Sequence, residues 1–260
     1  MGRLKVGVMI ESFRLGVKPG IRKAAEIGAD GFQIYVTKGE AAPWNLSQTG
    51  RRDFKRFVEG LGLKISALCG DLGHGYTDPA KMDELVDKSK QILQLSYDLG
   101  VPVVTTHIGV IPADEDSRTW SVLTDALKEL AGYGEEVGSC LATETGPEDT
   151  KLMRKFLDNV NSPGLKVNYD PANLVMNGFD HLGGVKDLAD YIVHTHAKDG
   201  VRLPDAGHKE VPLGEGQVKW PEYLANLESV GYEGFFIVER EVGSDPLSDI
   251  IKAVKFLRSF

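Results

Sequence analysis

The stretch KVNYDPANLVMNGFDHLGGVKDLADYIVHTHAKD, residues 166–199, decides the fold. Lys166–Asp170 and Tyr191–His196 are short apolar runs that read as buried strands, and a helical pattern lies between them. Two strands separated in this way pair in parallel through a right-handed crossover, because a tight turn cannot join parallel neighbours. Each run ends in a residue out of place in a core, Asp170 in one and His196 in the other.

Working outward, the same alternation recurs along the whole chain. Strand patterns lie at about Lys5–Glu11, Gly31–Val36, Lys64–Cys69, Val101–His107, Cys140–Glu144 and Phe235–Glu239, each followed by a helical pattern. Among the helices are Val17–Gly28, Arg51–Leu61 and Pro79–Leu99. Eight strands and eight helices predict a closed (β/α)8 TIM barrel, a single domain over residues 1–260. The competing open doubly wound sheet binds a nucleotide at a Gly-rich first turn. Here the first strand is followed by Glu11-Ser12-Phe13-Arg14-Leu15-Gly16, and no GxGxxG or GKS/T occurs. No linker or composition shift marks a second domain.

A formal charge of −8 and a pI near 5.3 argue against the basic footprint of a nucleic-acid binder. The two cysteines, Cys69 and Cys140, have neither zinc-site nor disulfide-framework spacing and read as small buried hydrophobes. The amino terminus enters a strand pattern at once, without the features of a signal peptide, and no apolar run reaches the length of a membrane span. The expectation is a cytoplasmic protein with neither membrane nor nucleic acid as partner.

Glu144, Asp170, His196 and Glu239 each sit near the carboxyl end of a strand pattern, numbered five to eight in order. In a barrel of this kind they converge on one mouth, where active sites are built. Charged groups there cost several kcal/mol unless something pairs them, and one divalent ion would pair all four. Taken singly, each could instead be a solvated loop residue or a partner for Lys198 or Arg240; as a set on consecutive strands they favour a metal site. Three carboxylates and an imidazole suit a hard or borderline cation, with Mn²⁺ the first choice and Mg²⁺, Co²⁺ or Zn²⁺ as alternatives.

The ordered series ExxGP, YDxxN, HxHAKD, LGEGxxxW and VERE resembles the xylose isomerase-like TIM barrel superfamily, in particular its sugar and sugar-phosphate isomerase/epimerase branch, across essentially the whole chain. The resemblance to ketose 3-epimerases implies that Glu144, Asp170, His196 and Glu239 hold the metal, that Glu144 and Glu239 are the catalytic acid/base pair, and that Arg202 binds substrate oxygens. It also implies assembly as a homodimer or homotetramer. Where those enzymes often carry a His three residues after the metal Asp, this chain has Asn173.

The implied function is isomerisation or epimerisation of a small sugar or sugar phosphate through an enediolate, by proton abstraction next to a carbonyl. Competing readings are an inosose-type dehydratase, an endonuclease IV-like phosphodiesterase, and a non-catalytic sugar-binding barrel. Asn173 and the net charge count against the phosphodiesterase. His107, ending the fourth strand pattern, is either a substrate-binding residue or a buried structural His. His194, two residues deeper than His196, reads as a core residue; His74, on a catalytic-side loop, is either a substrate or lid contact or a surface residue, and His208 and Asp205 read as exposed loop residues. Trp44, Trp120 and Trp220 read as structural, and Lys198–Val218 as a functional loop.

Overall fold

A computed structural model of the chain describes residues 3–205 and 207–260. Eight parallel strands close into a barrel: β1 (Lys5–Met9), β2 (Gly31–Tyr35), β3 (Lys64–Cys69), β4 (Val103–Thr106), β5 (Cys140–Glu144), β6 (Leu165–Tyr169), β7 (Ile192–Ala197) and, after a hairpin of β8 (Asp199–Arg202) with β9 (His208–Val211), β10 (Phe235–Val238). Closure is made by β1 pairing with β10 in the register Val6 to Phe236 and Val8 to Val238.

The crossover helices are α1 (Val17–Glu26), α2 (Gln48–Gly60), α3 (Met82–Leu99), α4 (Arg118–Val137), α5 (Thr150–Val160), α6 (Pro171–Asn177), α7 (Gly183–Asp187), α8 (Trp220–Ser229) and α9 (Pro246–Leu257). Short polar side chains begin several of them. Ser47 accepts from Gly50 N, Ser117 from Trp120 N, and Asp149 from Lys151 N, each satisfying an amide left free by the first helical turn. The main apolar core joins strand residues such as Val8, Ile34 and Val167 to the inner faces of the helices, with Leu93, Leu127 and Phe156 fully buried.

The barrel has the expected eight strands, but nine α-helices are found among the described residues instead of eight. The crossover after β6 carries two, because Gly178 ends α6 in the left-handed conformation at φ 81°. The segment after β7 folds as the β8–β9 hairpin. The first strand pattern also stops early: Ile10–Phe13 forms a 3-10 turn that includes Glu11. No helix among the described residues is long and apolar enough to cross a membrane.

Polar side chains join strands that are not neighbours in the sheet, so these bonds cross the barrel's interior. Gln33 on β2 donates to Thr105 on β4 at 2.7 Å, and Ser66 on β3 contacts His194 on β7 at 3.2 Å. All four side chains are buried.

Candidate metal centre

Glu144 is the last residue of β5, Asp170 directly follows β6, His196 is on β7 and Glu239 directly follows β10. Strand polarity brings all four to the carboxyl end of the barrel, and each is buried. One ligand atom from each lies within 4.8 Å of all the others, so the four can hold a metal ion. Nδ1 of His196 is the hub, 3.3 Å from Glu239 Oε2, 3.5 Å from Glu144 Oε1 and 3.7 Å from Asp170 Oδ2.

Asp170 divides its carboxylate between two tasks. Oδ1 accepts from the Ala172 and Asn173 amides at 2.8 and 3.1 Å, capping α6. Oδ2 is buried and has no hydrogen-bond partner among the described residues, and the same is true of His196 Nδ1. A buried polar atom without a partner costs roughly 1–3 kcal/mol, so two of them facing each other mark a place where a cation fits. The donor set, three carboxylates and one imidazole, suits such an ion chemically.

The four side chains are held from behind. Nε2 of His196 lies 2.9 Å from Gln33 Oε1 and donates there, which turns Nδ1 toward the carboxylates. Burial disfavours the charge of His196, but Glu239 and Glu144 outweigh that and hold its pKa well above the ordinary value, so without an ion Nδ1 carries a proton that a bound cation would replace. Glu144 accepts from Asn168 Nδ2 at 3.1 Å on Oε2 and from Asn173 Nδ2 at 2.8 Å on Oε1. Asn173 therefore braces the Glu144 carboxylate.

Lys198 is also inside the mouth. Its ammonium lies 3.0 Å from Glu239 Oε2 and 3.9 Å from Asp170 Oδ2, and it pairs with Glu241 at the rim. Burial of Lys198 disfavours its charge, but Glu239 and Asp170 outweigh that and hold its pKa well above the ordinary value. Burial likewise works to raise the pKa of Glu239, yet Lys198 and His196 hold it below the usual carboxylate range. For Glu144 burial is opposed by His196 and His107, again with a net lowering. All three residues carry charge at neutral pH.

His107 follows β4 at the same rim, its side chain 49% exposed. Nδ1 lies 2.8 Å from Asp71 Oδ2 and Nε2 lies 3.7 Å from Glu144 Oε1. The Glu144 charge, with the Asp71 hydrogen bond, pushes its pKa up to about 9. The half-exposed imidazole is thus a cationic donor beside Glu144, away from the core.

Arg202 is not brought into this group. It is on β8, and its guanidinium lies against Gly178 so closely that a methyl group there would overlap it. His194 is buried as expected, and His74, Asp205 and His208 are exposed. Trp120 and Trp220 are core residues, but Trp44 is 42% exposed on the loop after β2. Arg240 pairs with Glu210 and Asp249 rather than with the ligands. Gln33, Asn168 and Asp71 went unread in the sequence. A neutral amide in an apolar run and a loop Asp carry no periodic signal, although Asn168 and Gln33 inside strand patterns were departures open to question.

A family model described as xylose isomerase-like TIM barrel matches residues 21–260. The chain is 27% identical over 243 residues to an inosose dehydratase from Geobacillus thermodenitrificans, covering 80% of this chain and 81% of that one. It is 24% identical over 245 residues to a fructoselysine 3-epimerase from Escherichia coli O157:H7, covering 87% and 86%. Among solved structures, a xylose isomerase domain protein from Planctomyces limnophilus superposes with a TM-score of 0.86 at 24% identity, covering 99% of this chain and 97% of that one.

Proposed function

The chain belongs to the xylose isomerase-like TIM barrel family, and from that premise we propose that it is a divalent-metal-dependent isomerase or epimerase of a small sugar or sugar phosphate. The observation that carries this reading is the buried quartet in which Asp170 Oδ2 and His196 Nδ1 face each other with no hydrogen-bond partner among the described residues. Glu144, Asp170, His196 and Glu239 are the proposed ligands, and Mn²⁺ the proposed ion. Held there, the ion would supply Lewis acidity at a substrate carbonyl, which eases loss of the adjacent proton.

This chain's residues do the proton handling. Glu144 and Glu239 project from strands separated in the barrel by β6 and β7. Both are ionised, so either can take a proton from a carbon next to the carbonyl. Removal by one and return by the other on the opposite face inverts the stereocentre. Shuttling by one carboxylate between adjacent carbons, with a hydroxyl proton passing between their two oxygens, interconverts aldose and ketose. His107, oriented by Asp71, donates to a substrate oxygen at the rim. Arg202 is a second proposed substrate contact, reached when its guanidinium leaves Gly178.

The similarity to an inosose dehydratase supports a second reading, in which the same proton abstraction is followed by loss of a hydroxyl group as water. Protonated His107 is placed to assist that departure. Both readings are tested by incubating Mn²⁺-loaded protein in D₂O with ketoses, their phosphates, hydroxypyruvate and inososes, reading the products by NMR. Deuterium at one carbon with the hydroxyls retained identifies the isomerase or epimerase, and loss of water identifies the dehydratase. Tight Mn²⁺ binding with no exchange into any of these compounds would overturn both.

A further inference from the structure

Beneath the ligands, three buried side chains from different strands form a line that ends on Glu144. Ser66 Oγ on β3 lies 3.2 Å from His194 Nε2, and His194 Nδ1 on β7 lies 2.8 Å from Asn168 Oδ1. Asn168 Nδ2 on β6 then donates to Glu144 Oε2 at 3.1 Å. Ser66 is 9% exposed and the other two are 2% or less, so water does not substitute for these contacts.

The line has a direction set by its last member. Asn168 Nδ2 faces Glu144 Oε2 at 3.1 Å and His196 Nε2 at 3.2 Å; the ionised carboxylate, which only accepts, is the nearer neighbour and orients the amide with its NH₂ toward Glu144 and its carbonyl toward His194. That carbonyl in turn requires the hydrogen of His194 on Nδ1, which leaves Nε2 to accept from Ser66 Oγ, whose one hydrogen has the Phe32 carbonyl at 3.0 Å as its other acceptor. A hydrogen only on Nε2 would set two acceptors 2.8 Å apart and favour turning the amide, which would then place its oxygen against Glu144 Oε2.

We propose that Asn168 is a positioning residue for Glu144, and that His194, backed by Ser66, fixes the orientation of the Asn168 amide. With Oε2 held by Asn168 and Oε1 braced by Asn173, each oxygen of the carboxylate has an amide donor. The four-stranded line thereby aims the Glu144 carboxylate before substrate arrives. This inference rests on the acid/base role proposed above for Glu144, but the hydrogen-bond line itself is testable without turnover.

The test has two arms. In the first, long-range ¹H–¹⁵N NMR of ¹⁵N-histidine-labelled protein reads the His194 ring. The expected result is hydrogen on Nδ1, and hydrogen on Nε2 alone overturns the inference whether or not a substrate is known. In the second, Asn168→Leu is compared with the parent for Mn²⁺ binding by calorimetry and for deuterium exchange into whichever sugar the parent accepts. The expected result is a fall in kcat of roughly 100-fold, the scale of an active-site misplacement of about 1 Å. KM and the Mn²⁺ dissociation constant should each stay within about fivefold, because no ligand is lost. An unchanged kcat, or a loss confined to KM or metal affinity, overturns the positioning role. If Asn168→Leu does not fold, Asn168→Asp serves with the same criteria. A parent that exchanges nothing counts against the proposed function, and the NMR arm still decides the line.

Discussion

The ammonium nitrogen of Lys198 lies 3.0 Å from Oε2 of Glu239 inside the barrel mouth, in the space where three carboxylates crowd one imidazole. In the metal-free protein this cation offsets the negative charge that the ligands bring together. Removing one member of such a buried pair costs about 3–5 kcal/mol. Lys198→Met should therefore destabilise the metal-free protein by about 3 kcal/mol, and Mn²⁺ should restore much of the loss. Thermal unfolding with and without Mn²⁺ checks this: an equal Mn²⁺-induced rise in Tm for parent and variant would show that Lys198 does not compensate the acidic set.

Asp170 permits its two tasks to be separated by substitution. Asn caps helices as well as Asp does, so Asp170→Asn should fold with stability within about 1 kcal/mol of the parent while losing at least about 100-fold in Mn²⁺ affinity. Asp170→Ala loses the cap as well and should be less stable than Asp170→Asn by about 1 kcal/mol. Calorimetric titration and denaturant unfolding measure the two effects independently, and an Asn variant that binds Mn²⁺ normally would remove Asp170 from the ligand set.

Glu239→Gln keeps the shape and one coordinating oxygen but cannot accept a proton. Exchange of substrate hydrogen for solvent deuterium should fall below detection, while part of the metal affinity survives. Unaltered exchange would exclude Glu239 from proton transfer.

Arg202→Ala removes a guanidinium that rests on Gly178 at the end of α6. If the side chain moves onto substrate, KM should rise by roughly tenfold, about the scale of a charge-assisted hydrogen bond to substrate, with kcat nearly unchanged. The same KM for every sugar tested would assign Arg202 to the hairpin alone.

A buried carboxyl outside the ligand set governs part of the pH dependence. Glu148, on the loop after β5, is 5% exposed, and burial pushes its pKa up to about 7 from an ordinary 4.5. Between these values the folded protein holds a proton that the unfolded chain has released, so stability falls as pH rises from about 4.5 to 7. The effect is at most about 3 kcal/mol. Glu148→Gln should flatten this part of the stability curve, measured by urea unfolding across the range; an unchanged slope would mean that Glu148 titrates alike in both states.

The barrel was legible because strand and helix periods alternate along most of the chain, and the buried quartet because each member is an acid or imidazole at the end of an apolar run. The β8–β9 hairpin was not legible. Its residues are charged and Gly-rich, and their order depends on the buried Asp199, whose carboxylate accepts from the amides of Gly200, Gly214 and Val218 and from Trp220 Nε1. Those partners lie up to 21 residues away in the chain, and no local pattern announces them. The braces behind the ligands were hidden for a related reason. Gln33, Ser66 and Asn168 gain their meaning only when strands distant in sequence face one another across the interior.

Because one oxygen of Asp170 is committed to the first turn of α6, its carboxylate cannot swing to suit a cation of different ionic radius without unravelling that turn. A larger ion such as Ca²⁺, which prefers more oxygens at longer distances, would have to disrupt a helix start to be accommodated. Any discrimination between cations at the proposed site would in this way be delegated partly to secondary structure.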